Sequence, residues 1–191
     1  TQEGTAQRKG HKAGFVNIVG NPNVGKSTLM NLLVGERISI ATFKAQTTRH
    51  RIMGILNTPE MQICFSDTPG VLKPNYKLQE QMLQFSVSAL QDADVLLYVT
   101  DMVETPDKNS DFIEKVQHMK VPIIVVINKI DLSNPQALQA KYDEWHGILP
   151  KAEIMPISAM PEATASGPCS LERSSTWKRI LGKRCFIFRN R

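Results

Sequence analysis

The segment from Gly20 to Ser27 has residue types and spacing suited to phosphate chemistry. It reads Gly-Asn-Pro-Asn-Val-Gly-Lys-Ser and satisfies the pattern GxxxxGK[ST]. Glycines let backbone N–H groups turn toward phosphate oxygens, and a helix that begins there adds partial positive charge. We expect Lys26 to reach the β- and γ-phosphates of a nucleotide and Ser27 to bind Mg²⁺. The predicted nucleotide contacts in this loop are Gly20, Asn21, Pro22, Asn23, Val24, Gly25, Lys26, Ser27 and Thr28.

A second segment, Asp67-Thr68-Pro69-Gly70, follows a predicted strand. An acidic residue at the carboxyl end of a strand faces the ligand crevice of an open α/β sheet. We expect Asp67 to hold Mg²⁺ and the N–H of Gly70 to turn toward the γ-phosphate. Thr68, Pro69 and Val71 are predicted to border the nucleotide with them.

A third segment, Asn128-Lys129-Ile130-Asp131, follows a strongly apolar run. A carboxylate accepts hydrogen bonds from the ring N–H and amino group of guanine, whereas adenine would leave Asp131 unpaired at a cost of about 1–3 kcal/mol. Lys129 is expected to lie along the base. The backbone N–H groups of Ser158 and Ala159 could contact the guanine oxygen. The sequence therefore predicts a site for GTP or GDP.

The polar loop between the first two segments must supply a hydroxyl to Mg²⁺ once a γ-phosphate is present. We expect Thr48 to supply it, with Thr47 as the alternative, although a merely solvated loop would have a similar composition. Lys26, Thr48 and Gly70 are thus the predicted catalytic residues, and Ser27, Thr48 and Asp67 are the predicted Mg²⁺ ligands.

Alternating strands and helices are predicted to position these segments. The alternation predicts an α/β fold in which helices cover both faces of a mostly parallel, doubly wound sheet. Together with the motifs above, it gives the expected fold class, a P-loop NTPase with a Ras-like G domain. One predicted helix has Leu78, Met82, Phe85, Ala89 and Leu90 at helical spacing. The predicted strands cover residues 15–20, 51–56, 61–67, 95–100, 121–127 and 153–157, and the other predicted helices cover 25–34, 107–119 and 134–146.

The charge of the chain is concentrated at its two ends. The net charge is +5, yet residues 13–159 hold 13 basic and 15 acidic side chains. Basic ends are typical of solvated tails more often than of specific binding surfaces. Three cysteines without a CxxC pair, no apolar run long enough to span a membrane and no signal-like segment favour a cytoplasmic protein with reduced thiols.

Together the motifs resemble the Era family of bacterial GTPases. The resemblance lies in GNPNVGKSTLMNLL, ISIATFKAQTTRHRIMGI, DTPGV, NKID and PISA, and it runs from about Gly14 to Ala159. It implies a monomeric GTPase that acts in assembly of the small ribosomal subunit, binds its rRNA and associates peripherally with the inner membrane face. It also implies that Val71 replaces the glutamine that orients water in Ras-like enzymes, and that Asn23 could help to hold K⁺. Hydrolysis is then expected to be slow without a partner or a cation; His50 and His118 could act as bases, and neither is assigned.

The resemblance ends after Ala159. Era-type proteins continue with a closing helix and an RNA-binding KH domain, but residues 160–191 contain no GXXG loop. We expect a polar extension over residues 1–12, a G domain over 13–159 and an atypical basic tail without a KH domain over 160–191, with a short helix near 171–181. The alternatives are a truncated guanine-nucleotide-binding module with negligible turnover and no RNA grip, and an RNA-binding tail that stacks bases on Trp177, Phe186 and Phe188.

Overall fold

The computed structural model describes residues 12–39, 48, 50–59, 61–71, 77–105 and 110–159. A short 3-10 turn, Ile130–Leu132, follows the strand that ends at Asn128. The strands are β1 (Lys12–Gly20), β2 (Ile52–Asn57), β3 (Met61–Asp67), β4 (Val95–Asp101), β5 (Ile123–Asn128) and β6 (Glu153–Pro156). The helices are α1 (Lys26–Val34), α2 (Lys77–Gln91), α3 (Ser110–Gln117) and α4 (Pro135–Ile148).

The six strands form one sheet in the order β2-β3-β1-β4-β5-β6. All neighbouring pairs are parallel except β2 with β3, which are antiparallel. The chain leaves β1 toward β2 and β3 on one side and returns to β4 on the other, so the order reverses at β1. Ligands of open α/β sheets bind at such a reversal, beyond the carboxyl ends of the strands. The predicted doubly wound, mostly parallel sheet is confirmed.

Apolar cores cover both faces of the sheet because the strand side chains alternate between them. On one face, Leu29, Met30 and Leu33 of α1 pack against residues such as Ile18 and Phe65. The opposite face packs against α2, α3 and α4, and the fully buried Trp145 lies against Tyr98 with ring centroids 5.0 Å apart. These two cores hold the carboxyl ends of β1, β3 and β5 at one edge.

Most predicted elements are present, with shifts of a few residues at their ends. The strand predicted at 121–127 begins at Ile123, and within the described residues α3 begins at Ser110. In α2, Met82 and Ala89 are buried as the helical spacing indicates, whereas Leu78 and Phe85 are exposed. The apolar stripe of α2 is wider than the surface of the helix that contacts the sheet. The apolar side chains at the edges of the stripe therefore remain exposed to solvent.

Several predictions fall outside the described residues. They are the extension before Lys12, Thr47, the basic tail over 160–191 and the helix near 171–181. Within the described ranges, no helix has the length and apolar character needed to cross a membrane.

Candidate nucleotide-binding site

The loop Asn21–Gly25 joins β1 to α1 at the reversal point of the sheet. Gly25 adopts a left-handed conformation (φ 98°) at the start of α1, and a Cβ there would lie 2.2 Å from Nδ2 of Asn128. Only glycine meets both the backbone and the space requirement. Gly25, the N-cap residue of α1, has no side chain with which to cap the helix. The first N–H groups of α1 are therefore in position to receive an anion, and the predicted phosphate contacts of this loop stay a prediction.

Lys26 is held inside this loop. Its Nζ donates a 2.7 Å hydrogen bond to the carbonyl oxygen of Asn21, and the residue is only 6% exposed. Burial lowers the pKa of Lys26 from 10.5 to about 8, opposed by the negative charges of Asp67 and Glu104. A phosphate at this position would favour the protonated amine and offset the cost of its burial.

The three predicted Mg²⁺ ligands lie together beside Lys26. Ser27 Oγ donates to Oδ2 of Asp67 at 2.6 Å and lies 3.2 Å from Oγ1 of Thr48. Thr48 Oγ1 donates to the same carboxylate oxygen at 3.4 Å. Residues from α1, β3 and the segment before β2 are thus brought to one point, and Thr48 is buried there.

This oxygen cluster fits a small hard cation. Asp67 is fully buried, and among the described residues its Oδ1 has no hydrogen-bond partner. Burial raises the pKa of Asp67, opposed by the hydrogen bond from Ser27 and the charge of Lys26. A divalent cation would favour the ionised carboxylate and use the unpartnered oxygen, and oxygen ligands suit Mg²⁺. Within the described residues, no group of three His, Cys, Asp or Glu side chains could hold another metal.

The segment after Asp67 is tethered beneath the P-loop. Thr68 Oγ1 donates to the carbonyl oxygen of Ile18, and the N–H of Val71 donates to the carbonyl oxygen of Gly20 at 3.0 Å. A Cβ on Gly70 would lie within 2.6–2.8 Å of Pro22, so only glycine permits this contact. Val71 is buried in the core, where its side chain cannot orient water.

Asn128 connects the P-loop to the segment after β6. Its Nδ2 donates to the carbonyl oxygen of Val24 at 2.8 Å, and its Oδ1 accepts from the N–H of Ala159 at 3.0 Å. Asn128 is 3% exposed. The buried side-chain amide of Asn128 therefore holds together the P-loop and the segment after β6, which are far apart in the sequence.

Lys129 lies across the same edge of the sheet. Its Nζ donates to the carbonyl oxygen of Asn23 at 2.6 Å and to Oδ2 of Asp101 at 2.7 Å. Lys129 and Asn23 are also the two non-glycine residues with positive φ, 59° and 64°, among those described. Left-handed backbone at non-glycine residues is uncommon and needs support from its surroundings, which this bond supplies.

The predicted base-reading residues lie at the outer end of the site. Asp131 is exposed, and its Oδ1 accepts a hydrogen bond from the hydroxyl of Ser158. The N–H of Ala159 is used by Asn128. The predicted contact of the backbone N–H groups of Ser158 and Ala159 with guanine stays a prediction. The two observed hydrogen bonds hold the segment 158–159 beside Asp131 and Asn128.

Two acidic residues that were not predicted interact with predicted site residues: Asp101 at the end of β4 with Lys129, and Glu104 three residues later with Lys26. Asp101 Oδ1 accepts from the N–H of Glu104 at 2.9 Å, while its other oxygen holds Lys129. Glu104 is 7% exposed. Its Oε2 accepts from the hydroxyl of Thr100, and its buried Oε1 has no hydrogen-bond partner in the described part of the chain. Burial raises the pKa of Glu104 from 4.5 to about 7, opposed in part by the hydrogen bond from Thr100 and by the charge of Lys26. The sequence did contain a signal for these two residues, because both follow the predicted strand 95–100 closely.

Comparison with protein families agrees with this geometry. Residues 15–129 match the family described as 50S ribosome-binding GTPase. The chain belongs to that GTPase family. It is 40% identical over 151 residues to GTPase Era of Staphylococcus haemolyticus, an alignment that covers 78% of this chain and 50% of that protein. The predicted resemblance to Era-type GTPases is confirmed.

Solved Era structures also match this GTPase chain. Era in complex with MgGDPNP and a segment of 16S ribosomal RNA superposes with a TM-score of 0.72 at 42% identity, covering 78% of this chain and 52% of that chain. An Era variant of Aquifex aeolicus bound to GDP·AlF4⁻ gives a TM-score of 0.71 at 42% identity, with the same coverage. The P-loop GTPase fold is thus confirmed. The chain spans about half the length of these relatives.

Proposed function

We propose that this chain binds guanine nucleotides and hydrolyses GTP to GDP and phosphate as a molecular switch. The observation that carries the proposal is the convergence of Ser27, Thr48 and Asp67 beside the buried Lys26. A cationic amine next to a cluster of oxygen ligands suits the β- and γ-phosphates with Mg²⁺. Similarity to Era structures that contain MgGDPNP or GDP·AlF4⁻ supports the same ligands.

Selection of guanine is assigned to Asp131. Its carboxylate lies at the exposed end of the site, and Ser158 donates to one of its oxygens. A guanine base would donate two hydrogen bonds to this carboxylate, and adenine would donate none there. Lys129, held by Asp101 and the P-loop, would lie along the base.

Phosphate chemistry is assigned to residues around the oxygen cluster. Ser27 and Thr48 would hold Mg²⁺ with Asp67, and the ion would neutralise charge on the β- and γ-oxygens. Lys26 would donate from its Nζ to the same oxygens, and the N–H of Gly70 would face the γ-phosphate. Hydrolysis is expected to be slow alone, because the buried Val71 cannot orient water. We propose that K⁺, held partly by Asn23, increases the rate of GTP hydrolysis.

The wider role proposed is assembly of the small ribosomal subunit. It rests on similarity to Era, one structure of which contains 16S ribosomal RNA. On this proposal residues 13–159 are the G domain, and the protein is a cytoplasmic monomer that associates peripherally with the inner membrane face. The extension over 1–12 and the basic tail over 160–191 lie outside that domain.

Phosphate release from GTP tests the catalytic proposal. The chain is assayed with Mg²⁺ in K⁺ and in Na⁺ buffer, with and without small ribosomal subunits, beside Ser27→Ala. We expect release that depends on Mg²⁺, increases with K⁺ or subunits and is lost in Ser27→Ala. Tight GTP binding without release under every condition would favour a nucleotide-binding module. Equal rates in Na⁺ and K⁺ would refute the potassium proposal alone.

A further inference from the structure

Arg51 is the centre of a partly buried cluster of polar groups, here called the polar node, that the nucleotide motifs do not include. Its Nε donates to Oγ of Ser66 at 2.5 Å, and another nitrogen donates to Oδ1 of Asn17 at 2.9 Å. Its third nitrogen pairs with Asp92 at 2.6 Å. Asn17 and Ser66 are fully buried, on the neighbouring strands β1 and β3. The guanidinium thus satisfies polar groups in the middle of the sheet.

This node lies between the two segments that meet at the oxygen cluster. Arg51 is three residues after Thr48, so at most about 10 Å of chain separates their Cα atoms. Ser66 precedes Asp67 directly. The guanidinium therefore connects the segment that carries the Thr48 hydroxyl to the strand end that carries the Asp67 carboxylate.

The node also reaches the end of α2. Asn17 Nδ2 donates to the carbonyl oxygen of Ala89, and Asp92 follows that helix directly. A lysine at position 51 would supply one charged nitrogen on a flexible stem and could not copy the planar set of three bonds. The arrangement depends on the shape of arginine as well as on its charge.

We propose that Arg51 is a positioning residue that sets the place of Thr48 relative to Asp67 and so controls the Mg²⁺-dependent preference for GTP over GDP. This rests on the proposed function. Thr48 is needed only when a γ-phosphate is present, so a displaced Thr48 weakens the GTP state and leaves GDP binding nearly unchanged. Groups that orient metal ligands without touching the metal affect metal affinity about 10–100-fold.

The test measures the affinities of the full chain for GDP and for a non-hydrolysable GTP analogue, and the Mg²⁺ concentration for half-maximal analogue binding. For Arg51→Lys we expect about tenfold weaker analogue binding, a higher Mg²⁺ requirement and GDP affinity within about twofold of wild type. Ser66→Ala, which removes only the acceptor beside Asp67, should shift the same quantities in the same direction. Asp92→Ala removes the third and most exposed Arg51 contact, and it should change these quantities least, because that carboxylate is 54% exposed and exposed ion pairs contribute little.

The outcomes separate the two proposals. Equal losses of GDP and analogue affinity in Arg51→Lys, or an unchanged Mg²⁺ requirement, would overturn the positioning role and leave the GTPase proposal standing. A wild-type chain whose analogue binding ignores Mg²⁺ would overturn both. If Arg51→Lys does not fold, Ser66→Ala decides the matter by the same ratio of affinities.

Discussion

Glu104 gives the chain without nucleotide a specific dependence of stability on pH. Its pKa is raised from 4.5 to about 7. Between these values the folded protein retains a proton that the unfolded chain has released, so the free energy of unfolding falls as the pH rises. A shift of this size corresponds to about 3 kcal/mol. Most of that loss should fall between pH 5 and pH 8.

Replacement of Glu104 by Gln removes this titration. From pH 5 to pH 8.5, the free energy of unfolding of wild type should fall by about 2–3 kcal/mol relative to that of Glu104→Gln. The buried amide of the variant introduces new hydrogen-bond donors next to Thr100 and Lys141. These donors change the free energy of unfolding by an amount that does not depend on pH. The change with pH, rather than the absolute value, therefore carries the prediction.

Urea unfolding without nucleotide provides the assay, followed by tryptophan fluorescence, to which the buried Trp145 contributes. The matched control is Glu144→Gln, which removes a carboxylate that pairs with Lys141 at 2.8 Å but is 40% exposed. Its stability difference from wild type should stay within about 0.5 kcal/mol across the range. A Glu104→Gln difference that is flat from pH 5 to pH 8.5 would refute the assignment of a buried, protonated carboxyl.

Three further substitutions test the geometry of the site. Asn128→Ala leaves the carbonyl oxygen of Val24 and the N–H of Ala159 without their partner and should lower the free energy of unfolding by about 2–5 kcal/mol in denaturant titration; a loss below about 0.5 kcal/mol would mean that the bridge is dispensable. Asn134→Ala removes the side chain that accepts from Ala137 at the start of α4 and should cost only about 1 kcal/mol, with nucleotide affinity unchanged by calorimetry. Gly25→Ala combines a positive φ with a Cβ 2.2 Å from Asn128 and should abolish nucleotide binding in the same calorimetric assay; wild-type affinity in a folded variant would contradict the loop geometry.

Local sequence signals predicted several residues that the sheet brings together, because each motif follows a strand directly. The glycines of the P-loop, Asp67 at the end of β3 and Asn128 at the end of β5 take their positions from the parallel sheet, and alternation of elements is enough to predict that sheet. Thr48 was predicted from the need for a hydroxyl, and the structure brings it within 3.2 Å of Ser27.

The residues that sequence reasoning missed act through contacts between distant parts of the chain. The missed Asp101 binds the predicted Lys129 across 28 positions, and the missed Arg51 binds Asn17 across 34. No local spacing indicates such pairs, because only the register of the strands brings them together. Helical periodicity likewise predicts a buried stripe on α2 but not its width, which leaves Leu78 and Phe85 exposed.

Base selection by Asp131 is the most direct test of the proposed guanine-nucleotide function. Affinities of wild type and Asp131→Asn are measured for GTP, ATP and xanthosine triphosphate with Mg²⁺ present. Wild type should prefer GTP over ATP. The variant should bind xanthosine triphosphate better than GTP, because the amide can donate to the additional oxygen of that base. An Asp131→Asn chain that keeps the preference of wild type for GTP would contradict the proposal.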